Sequence, residues 1–364
     1  MDYKLRRFDW ALFFIFLALS AAGLVSTSGI GDAVRPFFQK QLIFLAAGVF
    51  IIFLVSLFDY RIFKNNSFAT IILYALAVVL LFISLASESV RGINAWIIVG
   101  NFRLEPSEFA KLALIILIAK YFSQKNSEIF KVHHILASGV YMAVPLLLVL
   151  KQPDLGSAFI FFVIWLSILL AAGVKRKHLL MIIFSAILVM LVAWLGFLEP
   201  YQKSRITTFL NPYLDPKGEG YSIIQSKIAI GSGGLWGKGF GHGTQAGLGF
   251  LPEAHTDFAF ASFAEQFGFA GILTIFSLFV ALLFKISKIG FSAKNNFAKL
   301  FSVGLIAFIF SHVVINAGMN LGLLPITGIP LPFLSYGGSF LISVSLGIGF
   351  LESIKIRSTV YSNP

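Results

Sequence analysis

Ten stretches of the chain stay almost wholly apolar over the length a bilayer demands, about 20 residues each. They fall near 10–25, 41–58, 68–86, 106–122, 134–150, 155–173 and 178–197, and, after a long polar interval, near 257–284, 300–322 and 335–353. The fourth is unusual in carrying charge in its opening turns. The pattern predicts an all-α polytopic membrane protein of about ten transmembrane helices, a single integral membrane domain over 1–364 with one long loop, 198–256. The first apolar run follows Lys4, Arg6 and Arg7, is long enough to span and lacks a small-residue cleavage site, so it is expected to stay as an anchor.

Composition agrees: 58% hydrophobic residues, a mean hydropathy of +0.89 and 12% charged residues do not describe a soluble core in a polar shell. With no cysteine among 364 residues, neither a disulfide framework nor a thiolate metal site is available. The net charge of +12 is a matter of topology before it suggests nucleic acid, which is not expected as a partner. Sorting the 28 Lys and Arg residues by alternate loops puts 17 on one side and ten on the other, with Lys111 inside the fourth span. Five of the ten (Lys203, Arg205, Lys217, Lys227 and Lys238) lie in the long loop, which translocates largely regardless of charge. Both termini are therefore expected in the cytoplasm, and the long loop outside.

The chemistry concentrates where that loop meets the eighth span, in GLWGKGFGHGTQAGLGFLPEAHTDFAFASFAEQ (234–266). Asp257 stands at the mouth of a predicted span, where a carboxylate costs roughly 3 kcal/mol at full depth and less near the interface, so it is a functional candidate by default. A simpler role for Thr256 or Asp257 is to cap the helix that follows, but a cap needs one acceptor and does not explain Glu253, His255 and the glycines together. Residues 201–214 alternate basic and apolar positions and 221–230 read as an amphipathic helix, both suited to the interface. The glycines of 231–249 allow close backbone approach and positive φ. They are not a dinucleotide fingerprint, since no strand precedes them.

In EPSEFAKLALIILIAKYF, Glu108 and Lys111 are spaced i, i+3 and share a face, so they are expected to pair toward the bundle interior or a water-filled cavity. Pro106 suits a helix start, with Glu105 and Glu108 favoured by the N-terminal dipole. Asp154 after Pro153 reads most simply as an N-cap, with a positioning role as the alternative. NLGLLPITGIPLPFLSYGGS (320–339) has no charge and is apolar enough to dip into the bilayer, which requires that protein or a cavity cover its backbone. His133 and His134 point in different directions on a helix, and the six histidines look unrelated, so no metal cluster is expected.

Over nearly its whole length the chain resembles the SEDS family, and within it the RodA branch. The likeness rests on EPSEFAK (105–111), QPDLGS (152–157), GSGGLWGKGFGHGTQ leading to LPEAHTDF, and LGLLPITGIPLPFLSYGGS. GTQ at 243–245 and PITGIPLPF favour that branch over the division-specific FtsW branch. The resemblance implies ten spans in the bacterial cytoplasmic membrane and polymerisation of lipid II into polyprenyl-linked glycan, beside a class B penicillin-binding protein. It also implies that Asp257 is the essential acid of the HTDF motif and that Glu108 and Lys111 are the family's charged pair. Two departures stand out. The loop before the fourth span reads GINAWI (92–97), without the arginine usual there, leaving Arg91 or Arg103 to replace the charge, and Glu105 stands where glutamine is common.

Such a reaction joins a sugar hydroxyl to an α-linked diphosphate-lipid donor with inversion. It needs a base near the acceptor hydroxyl, worth about 10²–10⁴ in rate, which the resemblance assigns to Asp257. It also needs positive charge for the departing diphosphate, for which Lys111, Arg205 and Lys238 are candidates, alone or with a divalent cation. Glu253, His255 and Asp154 are expected to shape the approach. The rival expectations are a lipid II flippase, because ten helices with intramembrane polar residues also suit a transporter, and a non-enzymatic scaffold for the transpeptidase.

Overall fold

The structure, a computed structural model, describes residues 7–87, 94–100, 102–125, 131–196 and 200–358. Lys4, Arg6, Arg91, Gly92, Ile93 and Phe197 lie outside the described residues, and with them part of the charge count and of the 91–97 loop.

In chain order the helices are α1 Trp10–Ser28, α2 Arg35–Leu57, α3 Arg61–Asn65, α4 Ser67–Leu85, α5 Pro106–Ser123, α6 Val132–Lys151, α7 Leu155–Ala172 and α8 Arg176–Gly196. They continue as α9 Pro200–Leu210, α10 Glu219–Ser232, α11 Thr244–Gly247, α12 Ala259–Ser292, α13 Asn296–Asn320 and α14 Gly338–Ser358. A short antiparallel hairpin, β1 Ile97–Val99 with β2 Phe102–Leu104, precedes α5. Several spans start where a short polar side chain takes up a first-turn N–H: Asp9, Asn66, Asp154 and Asn295 cap α1, α4, α7 and α13. Asp154 accepts from the Ser157 N–H at 2.9 Å, so its capping role is real.

Nine described helices are long and apolar enough to cross a membrane. The tenth predicted span is α5, which carries Glu108, Lys111 and Lys120 and is nonetheless deeply enclosed, with those three side chains 1%, 0% and 4% exposed. It packs between α4, α7, α13 and α14, while α14 lies along α2 and α12 along α1 and α13. Phe297, Phe301, Phe308 and Phe333 are among the largest side chains sealed in the core. By contrast, none of the apolar window of α8 is buried.

Two predicted spans differ in ways that matter. The second begins at Arg35 instead of 41, because Pro36 pre-sets the first turn; Gln41 then faces inward and exchanges hydrogen bonds with the Ser335 carbonyl (3.4 Å) and the Gly337 N–H (3.3 Å). The eighth is not one span from 257. At 34 residues α12 would be about 50 Å long, more than a bilayer needs, and it breaks at Gly268 (φ 65°, ψ −165°). Residues 259–267 form a separate, almost wholly buried helix, and the membrane-length piece follows the break.

Residues 321–337, between α13 and α14, do fold down into protein as their composition predicts. Leu331, Phe333, Leu334 and Ser335 are 1–3% exposed, and the Phe333 carbonyl lies so close to Gly23 of α1 that a Cβ there would overlap it. Of the long outer loop, α10 docks its inner face on the bundle through Ile223 and Ala229, and its Ser226 hydroxyl donates to the Asn320 carbonyl at 2.8 Å.

Candidate active site

Asp257 lies in a tight turn that follows Glu253, a non-glycine residue at φ 49°. The Glu253 carbonyl accepts from the Thr256 and Phe258 N–H groups at 3.1 and 3.2 Å, and its carboxylate accepts from the Thr256 hydroxyl at 3.0 Å. The helix after the turn has Phe258 at its N-cap position, one residue beyond the Thr256 and Asp257 that the sequence suggested, and Phe258 makes no side-chain cap bond.

What holds the turn is its backbone. Three successive carbonyls are gripped from α13 and from the 321–337 segment: His255 by the Tyr336 N–H (2.8 Å), Thr256 by the Ser335 hydroxyl (2.6 Å), and Asp257 by the side-chain amides of Asn316 (3.0 Å) and Asn320 (2.9 Å). None of these bonds involves the Asp257 carboxylate, one oxygen of which lies over Gly328, 3.8 Å from where a Cβ would stand. The His255 ring packs on Phe37 (4.2 Å between centroids) and faces Tyr336 (6.2 Å). Burial pushes the Tyr336 phenol up, with the nearby Arg103 charge opposing it. Arg103, on β2, thus reaches the same corner.

Glu108 and Lys111 pair as expected, Nζ to Oε1 at 2.8 Å. They are joined by a third group that the sequence reading left out, His312 of α13, with Nε2 at 3.4 Å from Lys111 Nζ and 3.7 Å from Glu108 Oε2. His312 is therefore not unrelated to the chemistry, and its other nitrogen faces the Pro330 carbonyl at 3.3 Å. His312, Asn316 and Asn320 follow each other at i, i+4 and i+8, all fully buried on one face of α13. The Asn316 amide also donates to the Ile329 carbonyl at 2.8 Å. The stripe spans about 12 Å and joins the charged pair to the Asp257 turn, with 328–330 threaded between them. Ile329 and Thr327 in turn seat against Gly156, two residues after the Asp154 cap.

Lys238 is engaged elsewhere. Its ammonium donates to Glu265 at 2.7 Å and to the Thr244 hydroxyl at 2.8 Å. The fully buried Glu265 carboxylate also accepts from the N–H groups of Gln245 (3.0 Å) and Ala246 (3.3 Å). Arg205 is half-buried on α9. Among the described residues no group of three or more His, Asp or Glu side chains could hold a metal ion, so a divalent cation has no ready set of protein ligands here.

A profile of the FtsW/RodA/SpoVE family, described as cell cycle protein, matches residues 5–360. The chain belongs to this family. It is 35% identical over 363 residues to the peptidoglycan glycosyltransferase MrdB of Escherichia coli (strain K12), covering 97% of this chain and 95% of that one. It is 31% identical over 426 residues to the peptidoglycan glycosyltransferase RodA of Treponema pallidum (strain Nichols), covering 96% and 98%. Stage V sporulation protein E of Bacillus subtilis (strain 168) is 36% identical over 323 residues, covering 88% and 87%. Among solved structures, a chain from a peptidoglycan synthase complex that coordinates polymerisation and crosslinking superposes with a TM-score of 0.83 at 28% identity, over 98% of this chain and 99% of that one. The crystal structure of the rod shape determining protein RodA of Thermus thermophilus gives 0.72 at 26% identity, over 96% of each. These solved relatives share the helical architecture, and the gripped turn described above is the HTDF stretch, residues 255–258.

Proposed function

We propose that the chain is a peptidoglycan glycosyltransferase of the RodA branch, polymerising lipid II during cell-wall elongation and maintenance of cell shape. In this reading it works in the bacterial cytoplasmic membrane, with both termini inside, the Asp257 turn facing outward, and a class B penicillin-binding protein beside it. The observation that carries the proposal is the grip on the turn. Three successive backbone carbonyls are fixed by donors from α13 and the 321–337 segment, so the fold sets where the Asp257 side chain stands.

The acceptor sugar hydroxyl attacks the anomeric carbon of the donor. A carbon–oxygen bond forms on one face as the bond to the diphosphate breaks on the other, and the polyprenyl diphosphate leaves with the bonding electrons. The hydroxyl proton passes to Asp257, acting as general base. Diphosphate is already a good leaving group, so one carboxylate suffices where glycoside hydrolysis uses two. Positive charge for the leaving group is assigned to Arg205 and Arg103, with Lys238 and Lys111, whose ammonium groups face carboxylates, as the further candidates. Among the described residues no His, Asp or Glu set fits a metal ion, and each role above is assigned to a side chain.

Purified protein given labelled lipid II tests the reading. Glycan polymer is the expected result; transport across vesicles without polymer indicates a flippase, and neither indicates a scaffold. Asp257→Asn keeps the size of the side chain and is expected to abolish polymer while leaving the fold and partner binding intact. Wild-type polymer formation by this variant would refute the base assignment.

A further inference from the structure

Glu265 is buried, charged and absent from the mechanism above, and it sits at the one place where the glycine-rich loop and a broken helix meet. A helix break strands backbone groups, and at membrane depth they must be satisfied by protein. Here the loop does so. Lys238 and Gly239 donate their N–H groups to the carbonyls of Glu265 and Gln266 (2.9 and 3.0 Å), while Phe269 and Ala270 donate to the carbonyls of Gly234 and Leu235 (2.9 and 3.0 Å). The two backbones approach so closely that a Cβ on Gly237 or Gly268 would overlap the opposite chain. Both glycines also have φ in the left-handed region, 79° and 65°.

Onto this main-chain ladder Glu265 adds a cradle of donors: one ammonium, one hydroxyl and the first N–H groups of α11. A cradle of this kind suits an external anion, and the protein fills it with its own carboxylate. The consequence reaches Asp257. Ala246, whose N–H is held by Glu265, packs in a cluster with Leu251, Ala254 and Phe258, and the last two flank the Asp257 turn.

We infer that Glu265 is a positioning residue that latches the glycine-rich loop onto α12 and so holds the Asp257 turn in its working geometry. The effect on reaction rests on the polymerase reading; the latch itself does not.

The chain has no cysteine, so Ala246→Cys introduces a single thiol at a position 5% exposed while the loop is docked. In the full-length protein in detergent, adding Glu265→Gln is expected to speed labelling of this thiol by a maleimide at least tenfold. With cysteine-free protein, Glu265→Gln is expected to lower the polymer rate at saturating lipid II about tenfold, without moving the midpoint of the pH–rate profile, because Asp257 remains the base. Lys238→Gln, which removes a partly exposed member of the cradle, serves where Glu265→Gln fails to fold, with a smaller change in the same direction. Unchanged labelling in both variants overturns the latch whatever the activity. Faster labelling with an unchanged polymer rate overturns the positioning role. Wild-type protein that makes no polymer refutes the polymerase reading instead, and the labelling rates still decide the latch.

Discussion

Asn316→Ala isolates the stripe on α13 from the acid it supports. The Asn316 amide serves two buried carbonyls, Asp257 at 3.0 Å and Ile329 at 2.8 Å, and its own oxygen faces the Asn320 amide at 3.3 Å. Asp257 keeps its bond from Asn320 at 2.9 Å, so alanine fully orphans only the Ile329 carbonyl, at about 1–3 kcal/mol. Loss of the second bond and the void left by the amide raise the expected destabilisation to roughly 2–4 kcal/mol. Function should suffer more than stability suggests, because Ile329 adjoins Gly328, the wall of the Asp257 carboxylate, and a misplacement of about 1 Å costs on the order of 10² in rate. Thermal unfolding in detergent and polymer formation from lipid II are to be measured on the same preparation. A variant with an unchanged melting temperature and a polymer rate within twofold of wild type would show that the grip on the turn does not position the acid.

Three further outcomes are expected. Lys111→Ala leaves Glu108 uncompensated beside His312 and should lower stability by about 3–5 kcal/mol; the double change with Glu108→Ala should recover folding but not activity, and full recovery of polymer formation would make the pair purely structural. Burial, with the Glu108 charge adding to it and Lys111 opposing, pushes the Glu105 carboxyl up to about 8. The stability it contributes is then complete below the ordinary glutamate range and lost as pH rises toward 8, so Glu105→Gln, whose amide oxygen can still accept from the Ser107 hydroxyl, should match wild type in thermal unfolding near pH 5 and exceed it at pH 8.5; parallel curves would contradict this. Finally, a lone cysteine at Trp236, 82% exposed, should react with a membrane-impermeant reagent in cells with an opened outer barrier, and protection there would reverse the assigned orientation.

Much of this architecture was legible because the bilayer imposes a length and an apolarity on every span. The Asp154 cap, the Glu108–Lys111 pair and the descent of 321–337 could likewise be read from local spacing and composition. The break at Gly268 could not, since one glycine in an apolar helix is ordinary; only the approach of residues 234–239, some thirty positions earlier, forces positive φ there. Glu265 was hidden for the same reason, its partners being the Lys238 ammonium, the Thr244 hydroxyl and two backbone N–H groups from 19 to 27 positions earlier in the chain. His312, Asn316 and Asn320 did carry a signal, polar residues at i, i+4 and i+8 along one face of a mostly apolar span.

Glu265 is fully buried and Asp257 half-buried, and the contrast between them bears on the proposed roles. Glu265 and Asp257 lie two helical turns apart, and a carboxylate that works as a base must keep an oxygen for an incoming proton. Glu265 has none to give: its two oxygens receive an ammonium, a hydroxyl and two backbone N–H groups, all within 3.3 Å. Asp257 is held by different means, through its main-chain carbonyl, by two neutral asparagine amides. Lysines in their place would have fixed the same carbonyl while drawing proton affinity out of the acid. Neutral amides on the backbone thus hold the turn without adding charge beside the proposed base, and the Lys238 ammonium of the glycine-rich loop is directed to Glu265 instead.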